Sequence, residues 1–488
     1  MVDERKILTG FKATLVAEVV RTVAKGGLVV LLARVFLTPD EYGLLFLSIS
    51  VFGVALLFSR IGIPRSTARY VTEYRETGPS QVPHIVRGSL SFLALSMTTV
   101  AIAIALFHRR LAGWIGEAEL APFLLVGFFY IIARTANSYV HTLFQGFNRV
   151  AWSARITIVS NVGIVASVIA LLALGFGTIG ALLGYVAGYA LGALCGLYLL
   201  YRLVSEFEPA PSREEGLLRR LLEYSLPLSV SGGSNALYKR VDTILVGFFL
   251  TPAAVGYYTL AKQLSDFIIA PAGSLGFAVS PSYGEYKANG ELERAAEIYE
   301  ATFEHNVLFY VPAAAGLVVV ADPLVRFVFG AAYTGAVPVV QVFAVFIVFQ
   351  SIDKITNDAL DYLGRAKHRA ISKGATGAFN FGLNLLLIPA IGVTGAAVST
   401  VVSYGIMVAI NIYLIHTELS LSIARLGRTL ALVCAIAGGM AVIVHASLVV
   451  VTDIPSLLGV VLLGVCIWLV GAVTSGLLDV RRAVSQLR

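Results

Sequence analysis

The sequence has few charged residues and few cysteines. Only 13% of its 488 residues are charged, whereas soluble domains contain about 25%. This scarcity of charge excludes a cytosolic enzyme, a secreted domain and a nucleic-acid-binding module, so nucleic acid is not an expected partner. What the chain has instead is 57% hydrophobic residues, arranged in runs of about twenty. Runs of that length are what a helix needs to cross a bilayer about 30 Å thick.

Residues that commonly bind metals or catalyse reactions are scattered. Cys195, Cys434 and Cys466 all lie inside apolar runs, so we expect small packing residues rather than disulfides or metal ligands. The seven histidines have no metal-ligand spacing, and no nucleophile stands near a base in a recognisable pattern. We therefore expect no metal, no cofactor and no catalytic residue. The first apolar run contains Glu18 and Arg21, which makes it too polar for a cleaved signal peptide.

The apolar runs predict an all-α, polytopic membrane protein with about fourteen transmembrane helices. The predicted spans are 11–36, 41–62, 88–108, 120–141, 153–174, 178–201, 225–249, 253–279, 304–321, 337–360, 372–390, 393–416, 428–451 and 456–477. The joining segments alternate between one set rich in Arg and Lys and another that is short and nearly free of cations. The positive-inside rule then predicts that both termini are cytoplasmic and that the protein lies in the cell membrane.

An internal repeat relates the two halves of the chain. Leu37-Thr38-Pro39 before Glu41-Tyr42-Gly43 resembles Leu250-Thr251-Pro252 before Val255-Gly256-Tyr257. Six spans separate equivalent points, so the repeat is parallel, and substrate sites of such transporters lie between the halves. The predicted organisation is an N-terminal lobe at 1–203, a flexible cytoplasmic linker at 204–224, a C-terminal lobe at 225–418, and two further helices with a tail at 419–488.

Charged residues deep inside spans point to a cationic cavity. The cations are Arg21, Lys25, Arg134, Lys239, Arg240 and Lys262, and the anions are Glu18, Asp242 and Asp266. Embedded charge is costly and usually faces a bundle interior or a wet cavity. Pairs such as Lys239–Asp242 could simply neutralise each other, but six cations against three anions leave an excess of three (6 − 3). A basic cavity suits an anion, and the Arg side chain suits phosphate oxygens.

Carboxylates within the spans are candidates for coupling transport to H⁺ or Na⁺. These candidates are Glu18, Asp242, Asp266, Asp353 and Asp358. Asp353, Asp358 and Asp361 crowd one basic residue, Lys354, and repulsion between carboxylates favours protonation. The tenth span is therefore the preferred coupling site.

Several stretches resemble a known family. They are Ala33-Arg34-Val35-Phe36-Leu37-Thr38-Pro39-Asp40-Glu41-Tyr42-Gly43, Ser59-Arg60-Ile61-Gly62-Ile63-Pro64 and Arg69-Tyr70-Val71. These stretches look like the opening of polysaccharide-biosynthesis membrane proteins. Such proteins are Wzx-type oligosaccharide-lipid flippases of the multidrug/oligosaccharidyl-lipid/polysaccharide exporter superfamily.

The resemblance implies two six-helix lobes in a V-shape plus two extra helices. It also implies transport of a polyprenyl- or dolichyl-phosphate- or diphosphate-linked oligosaccharide from the inner to the outer leaflet. Membrane lipids and glycan-assembly proteins are the further partners that it implies. By span and depth, the family's cationic cavity falls on Arg21, Lys25, Lys239 and Lys262.

Three other functions remain open at this point. A multidrug or cation exporter of the same superfamily would favour an acidic midplane. A polytopic glycan polymerase or glycosyltransferase would favour a substantial catalytic loop, yet every external segment here is short. A channel-like or structural subunit would not need charged stripes on several helices.

Overall fold

The computed structural model describes the backbone of residues 4–478 and the side chains in that range except at 4–11, 230–239, 274, 275, 277 and 278. Every regular element in this part of the chain is helical. The helices are α1 (Glu4–Leu31), α2 (Pro39–Arg60), α3 (Ile63–Thr77), α4 (Val82–Ile115), α5 (Leu120–Gly146), α6 (Val150–Ala173), α7 (Gly177–Val204), α8 (Leu217–Phe249), α9 (Pro252–Ala288), α10 (Leu292–Leu324), α11 (Val337–Tyr362), α12 (Ala366–Ile391), α13 (Val393–Leu419), α14 (Ile423–Ser447) and α15 (Ile454–Thr474).

Each predicted span coincides with one long helix, so the all-helical, polytopic fold is confirmed. The bounds agree within five residues for eight spans. The helices that extend six residues or more beyond a predicted limit are α1, α4, α8, α9, α10 and α12. A helix can extend beyond its apolar run because backbone hydrogen bonding continues outside the hydrocarbon core. Eleven helices among the residues searched are long and apolar enough to cross a membrane. The other three long helices, α1, α8 and α9, carry most of the charges predicted at mid-depth.

Helix α3 is an element that the apolar runs did not predict. It follows α2 after a break at Ile61 and Gly62, whose φ angles are 43° and 67°. Ile63 and Val71 on α3 are buried, whereas Arg65 lies on its exposed side. This short, two-faced helix lacks an apolar run of membrane length, so a search for spans passes over it.

Contacts divide the chain into two compact units, Met1–Gly256 and Tyr257–Arg488. In the first unit α8 packs against α2, α3 and α4. The domain limits predicted from composition, with the second lobe beginning at 225, stay a prediction.

Glycines on α7 allow three helices of the first unit to pack closely. An added Cβ would lie 2.3 Å from the backbone nitrogen of Ile164 at Gly188, and 2.4 Å from Cγ2 of Val140 at Gly196. Ile164 is on α6 and Val140 is on α5, so one helix meets two neighbours through positions with no side chain. Such small-residue contacts replace the hydrophobic driving force that is absent between helices in lipid.

The two repeat motifs cross each other within the first unit. A Cβ at Gly43 would lie 1.8 Å from the carbonyl oxygen of Pro252, and a Cβ at Gly256 would lie 2.4 Å from that of Pro39. Asp40 also accepts a hydrogen bond from the backbone N–H of Ala253, with 3.1 Å between Oδ1 and N. The contact is reciprocal because equivalent residues of the two motifs exchange roles. Glycine is required at both positions because the backbones approach so closely.

The segment predicted as a flexible linker is held by ordered contacts. The amide of Gln81 donates to the carbonyl of Ser212 and accepts from the N–H of Glu214, both at 3.0 Å. The hydroxyl of Tyr74 donates to Glu214 at 2.7 Å. Hydrogen bonds from Tyr74 and from Arg220 lower the pKa of the Glu214 carboxyl. These contacts fix the segment against the cytoplasmic ends predicted for α3 and α4.

The two C-terminal helices belong to the second unit and pack on α10. Arg425 of α14 makes two hydrogen bonds to the carboxylate of Glu304, at 2.9 and 3.0 Å. Glu300, one turn earlier on α10, accepts a hydrogen bond from the backbone N–H of Ser422 at 2.6 Å. A paired guanidinium and carboxylate fix both position and orientation, so α14 is fastened to α10 at this end.

Candidate functional site

A group of aromatic residues forms the centre of the candidate site in the first unit. Tyr130 of α5 is 4% exposed. Its ring lies edge-on to Tyr189 of α7, with 5.8 Å between centroids, and 5.0 Å from Phe52 of α2. The rings of Tyr130 and Tyr189, each with a hydroxyl, therefore meet beside α2.

Three arginines from three helices surround these rings. The guanidinium carbon of Arg134 lies 4.3 Å from the centroid of Tyr189, which is a cation–π contact. Arg60, Arg134 and Arg240 are all close enough to Tyr130 to act on it electrostatically. We call these five residues, Arg60, Arg134, Arg240, Tyr130 and Tyr189, the arginine–tyrosine cluster.

Arg60 of the cluster stands immediately before the break between α2 and α3. Arg60 is the last residue of α2, and Ile61 follows with a φ of 43°. A positive φ is strained for a β-branched residue, and such strain tends to occur at functional sites. The side chain of Ser96 donates to the carbonyl oxygen of Ser59 at 2.7 Å, which satisfies one group freed by the break. A neighbouring bond of 2.7 Å joins the hydroxyls of Ser59 and Thr135 and fastens α2 to α5 at this level.

Arg240 is held against α2 by a glycine. A Cβ at Gly53 would lie 3.0 Å from Nε of Arg240, so the guanidinium stem rests on the backbone of α2. A larger residue at Gly53 would push Arg240 away from Tyr130. This contact fixes the position of the Arg240 guanidinium, which is the charge that α8 contributes to the cluster.

The arginines of the cluster have no acidic partner among the described side chains. No carboxylate oxygen in that part of the chain lies within 4.0 Å of a nitrogen of Arg60, Arg134 or Arg240. In addition, Nε of Arg60 is buried with no hydrogen-bond partner among the described residues. Three like charges that have no acidic partner among the described side chains are costly in a membrane. An anion with several oxygens would relieve this cost and bind guanidinium groups bidentately.

The predicted charges on α1 are placed differently. Arg21 forms an ion pair with Glu18, one turn earlier on the same helix, and its role as a phosphate ligand stays a prediction. Arg21 and Arg134 both lie near enough to His141 to influence it, which brings this face of α1 toward α5. Lys25 is exposed, one turn beyond Arg21.

The remaining predicted cations and two of the carboxylates lie on α8 and α9. The side chain of Lys239 is outside the described residues. Asp242 is on α8 and only 3% exposed. Lys262 and Asp266 belong to the second unit, where Nζ of Lys262 lies 5.6 Å from the centroid of Tyr258 and Asp266 is exposed. The predicted set of six cations is therefore divided between two units.

The carboxylates of the tenth span have more cationic neighbours than expected. Asp353 is 6% exposed and its Oδ1 has no hydrogen-bond partner among the described residues. Lys373 and Arg369 of α12 face it together with Lys354 of its own helix. The expectation that the carboxylates crowd a single cation is therefore wrong, because α12 supplies two more. Sequence spacing reports neighbours on one helix and not those across a helix interface.

Asp358 is in close contact with α9. A Cβ at Gly276 would lie 2.7 Å from Oδ2 of Asp358, so this carboxylate rests on a glycine backbone. Asp361 repels Asp358 less than expected, because Asp361 forms an ion pair with Arg369 at 2.9 Å. The two coupling candidates on α11 are thus unlike each other: Asp353 is buried and Asp358 is half-buried.

Three members of the cluster, Arg60, Tyr130 and Tyr189, were not among the site residues predicted from the sequence. Arg60 stands at the end of an apolar run, and the sequence singled it out only as part of a motif that resembles the family. Tyr189 lies in a span without charged residues. The one available signal was Gly62 two residues after Arg60, which could have indicated a helix break at this depth.

Comparison with known proteins identifies the family. The sequence model of the family described as polysaccharide biosynthesis protein matches residues 7–281, and that of the MatE family matches residues 227–386. A probable low-salt glycan biosynthesis flippase, Agl15 of Haloferax volcanii, is 23% identical over 79% of this chain and 78% of its own length. An uncharacterized membrane protein of Methanocaldococcus jannaschii, MJ1068, is 20% identical over 77% of each chain.

Solved structures show the same fold. The lipid II flippase MurJ in an inward closed conformation aligns with a TM-score of 0.75 at 18% identity, covering 96% of this chain and 98% of its own. An inward-facing multidrug resistance MATE family transporter of the MOP superfamily aligns with a TM-score of 0.67 at 16% identity, covering 84% and 95%. The family resemblance predicted from the opening motifs is confirmed. The chain is a multi-pass membrane protein that belongs to the polysaccharide biosynthesis protein family.

Proposed function

We propose that this protein translocates a lipid-linked, phosphate-bearing oligosaccharide across the cytoplasmic membrane by alternating access, for polysaccharide or glycan assembly. The observation that carries the proposal is the arginine–tyrosine cluster, in which three arginines lack an acidic partner among the described side chains. Guanidinium groups in a poorly solvated site bind phosphate oxygens strongly. Tyrosine rings beside them offer hydroxyls and apolar faces to the sugar–lipid junction.

The relatives support the same substrate class. Agl15 is named a probable flippase of glycan biosynthesis and MurJ a flippase of lipid II. A substrate of this kind needs its charged headgroup to be carried through the hydrocarbon core, which an embedded cationic site makes less costly. Transport of this kind makes and breaks no covalent bond, so the protein is proposed to be a transporter and not an enzyme.

Residues of the cluster define the proposed phosphate site. Arg134 and Arg240 come from the predicted cationic set, and Arg60 is added to it. Arg21, Lys25, Lys239 and Lys262 stay as predicted members. The substrate shifts the balance between inward- and outward-open states only if it binds them with different affinities.

Export of organic cations is the second candidate, favoured by the match of the MatE family model to residues 227–386. A cluster of three arginines that have no acidic partner among the described side chains repels such a substrate. In proteoliposomes we expect the protein to accelerate movement of a fluorescent lipid-linked oligosaccharide and to leave the flux of an organic cation such as ethidium unchanged. A large cation flux without glycan-lipid movement would reverse the choice.

The proposed orientation has both termini in the cytoplasm. Single cysteines at Thr38, Thr251 and Thr394 should then react with a membrane-impermeant maleimide added to intact cells, because these positions lie in the cation-poor segments. Cysteines at Arg219 and Lys367 should react only after permeabilisation. The opposite pattern of labelling would contradict the orientation.

Coupling to an ion is proposed for the α11 carboxylates. Asp353 combines burial with an oxygen that lacks a partner among the described residues, as expected of a group that takes up H⁺ or Na⁺ during the cycle. Asp353→Asn should abolish the response of glycan-lipid flux to an imposed H⁺ or Na⁺ gradient, and Asp358→Asn should weaken it. Asp322→Asn, at an exposed pair with Arg326, is the matched control. A wild-type response in Asp353→Asn would remove α11 from the coupling mechanism.

A further inference from the structure

A groove between α1 and α6 lies apart from the arginine–tyrosine cluster. Its volume is about 340 Å³, and its lining residues are Lys12, Ala13, Val16, Ala154, Arg155 and Ile158. Pockets of this size hold small ligands or part of a lipid. The two helices contribute alike: each supplies one cation, one alanine and one branched apolar residue within a single turn.

The groove is basic at one end and apolar at the other. Consecutive spans alternate in direction, so α1 and α6, the first and fifth spans, run the same way. Lys12 and Arg155 lie toward the N-terminal ends of their helices, and Val16 and Ile158 lie one turn deeper. Exposed apolar side chains continue inward from both, Val19 on α1 and Val162 on α6. This arrangement, with cations at one end and apolar side chains beyond them, complements a phospholipid, which has an anionic headgroup and apolar acyl chains.

The two cations are available to a ligand. Lys12 and Arg155 are exposed, and neither forms an ion pair among the residues that the structure describes. Trp152 lies about one turn before Arg155, with the guanidinium of Arg149 5.7 Å from its ring. Tryptophan and basic side chains together are typical of the headgroup level of a membrane protein.

The groove is separate from the predicted substrate face of α1. At about 100° per residue, Lys12, Ala13 and Val16 lie on the side of α1 opposite Glu18 and Arg21. A ligand in the groove therefore contacts a different surface of α1 from a ligand bound beside Glu18 and Arg21. This separation distinguishes a resident lipid from the transported one.

We propose that the groove binds an anionic membrane phospholipid, with the headgroup phosphate between Lys12 and Arg155 and an acyl chain along Val16 and Ile158. Basic pockets between transmembrane helices bind anionic headgroups in this way. With both termini in the cytoplasm, the lipid belongs to the inner leaflet. Binding does not depend on the transported substrate.

The test measures phospholipid binding to the purified full-length protein in detergent, by native mass spectrometry, with no glycan lipid present. Phosphatidylglycerol and phosphatidylcholine with identical acyl chains are titrated in parallel. The double variant Lys12→Gln/Arg155→Gln should lower the affinity for phosphatidylglycerol about thirty-fold and leave phosphatidylcholine unaffected. The control Arg109→Gln/Arg110→Gln, with the same change of charge at two exposed positions of α4, should bind as wild type.

Charge-preserving and competition experiments complete the test. Lys12→Arg/Arg155→Lys should retain binding, which separates lost charge from a disturbed fold. Wild-type affinity in the glutamine double variant, or an equal loss in the control, would overturn the proposal. Displacement of phosphatidylglycerol by an equal amount of polyprenyl phosphate would also overturn it, because the groove would then belong to the substrate's carrier.

Discussion

Replacing Arg60, Arg134 or Arg240 with glutamine is expected to lower the flux of lipid-linked oligosaccharide about ten- to a hundred-fold. Each replacement removes a charge-assisted contact to phosphate, and contacts of this kind are worth about 1.5–3 kcal/mol. Membrane insertion should not suffer, because removing an embedded charge eases it. The measurement is translocation of a fluorescent glycan lipid in proteoliposomes that contain equal amounts of folded protein.

Two comparisons make this result specific. Arg109→Gln, at an exposed position of α4, removes one charge elsewhere and should transport as wild type. Arg60→Lys should fall between wild type and Arg60→Gln, because lysine keeps the charge and loses the bidentate geometry. Wild-type flux in all three glutamine variants would mean that the arginines serve packing and not the substrate.

Alanine at Gly43 is expected to destabilise the protein by about 3 kcal/mol. The new Cβ would lie 1.8 Å from the carbonyl oxygen of Pro252 and 2.6 Å from its carbon, so the backbones of α2 and α9 must separate. Gly256→Ala should have a similar, smaller effect, because its nearest atom is the carbonyl oxygen of Pro39 at 2.4 Å. Thermal unfolding of the detergent-solubilised protein measures both.

The controls for this prediction should change stability in the opposite direction. Gly27 in α1 and Gly459 in α15 have nothing within 4 Å of an added Cβ. Alanine in an open helical position is favoured by up to about 1 kcal/mol over glycine. Equal melting temperatures for Gly43→Ala, Gly27→Ala and wild type would contradict the close crossing of the two repeat motifs.

The sequence by itself determined the class of protein and the order of its helices. A bilayer requires about twenty apolar residues per helix, so span limits can be read locally, and all fourteen predicted spans match long helices. The LTP motifs around Pro39 and Pro252 also revealed the repeat. Helical periodicity correctly grouped residues along one helix, as with Glu18 and Arg21, which form an ion pair.

Only the tertiary structure decided which helix faces meet. Arg60 lies near Arg134 because α2 packs against α5, and no span rule predicts which helices pack together. Lys373 approaches Asp353 from another helix. It adds a positive charge beside the carboxylate that the sequence around Asp353 does not reveal. Periodicity specifies the side of a helix on which a residue lies. The neighbour across that side depends on close contacts such as the one at Gly188, which arise only when distant segments pack together.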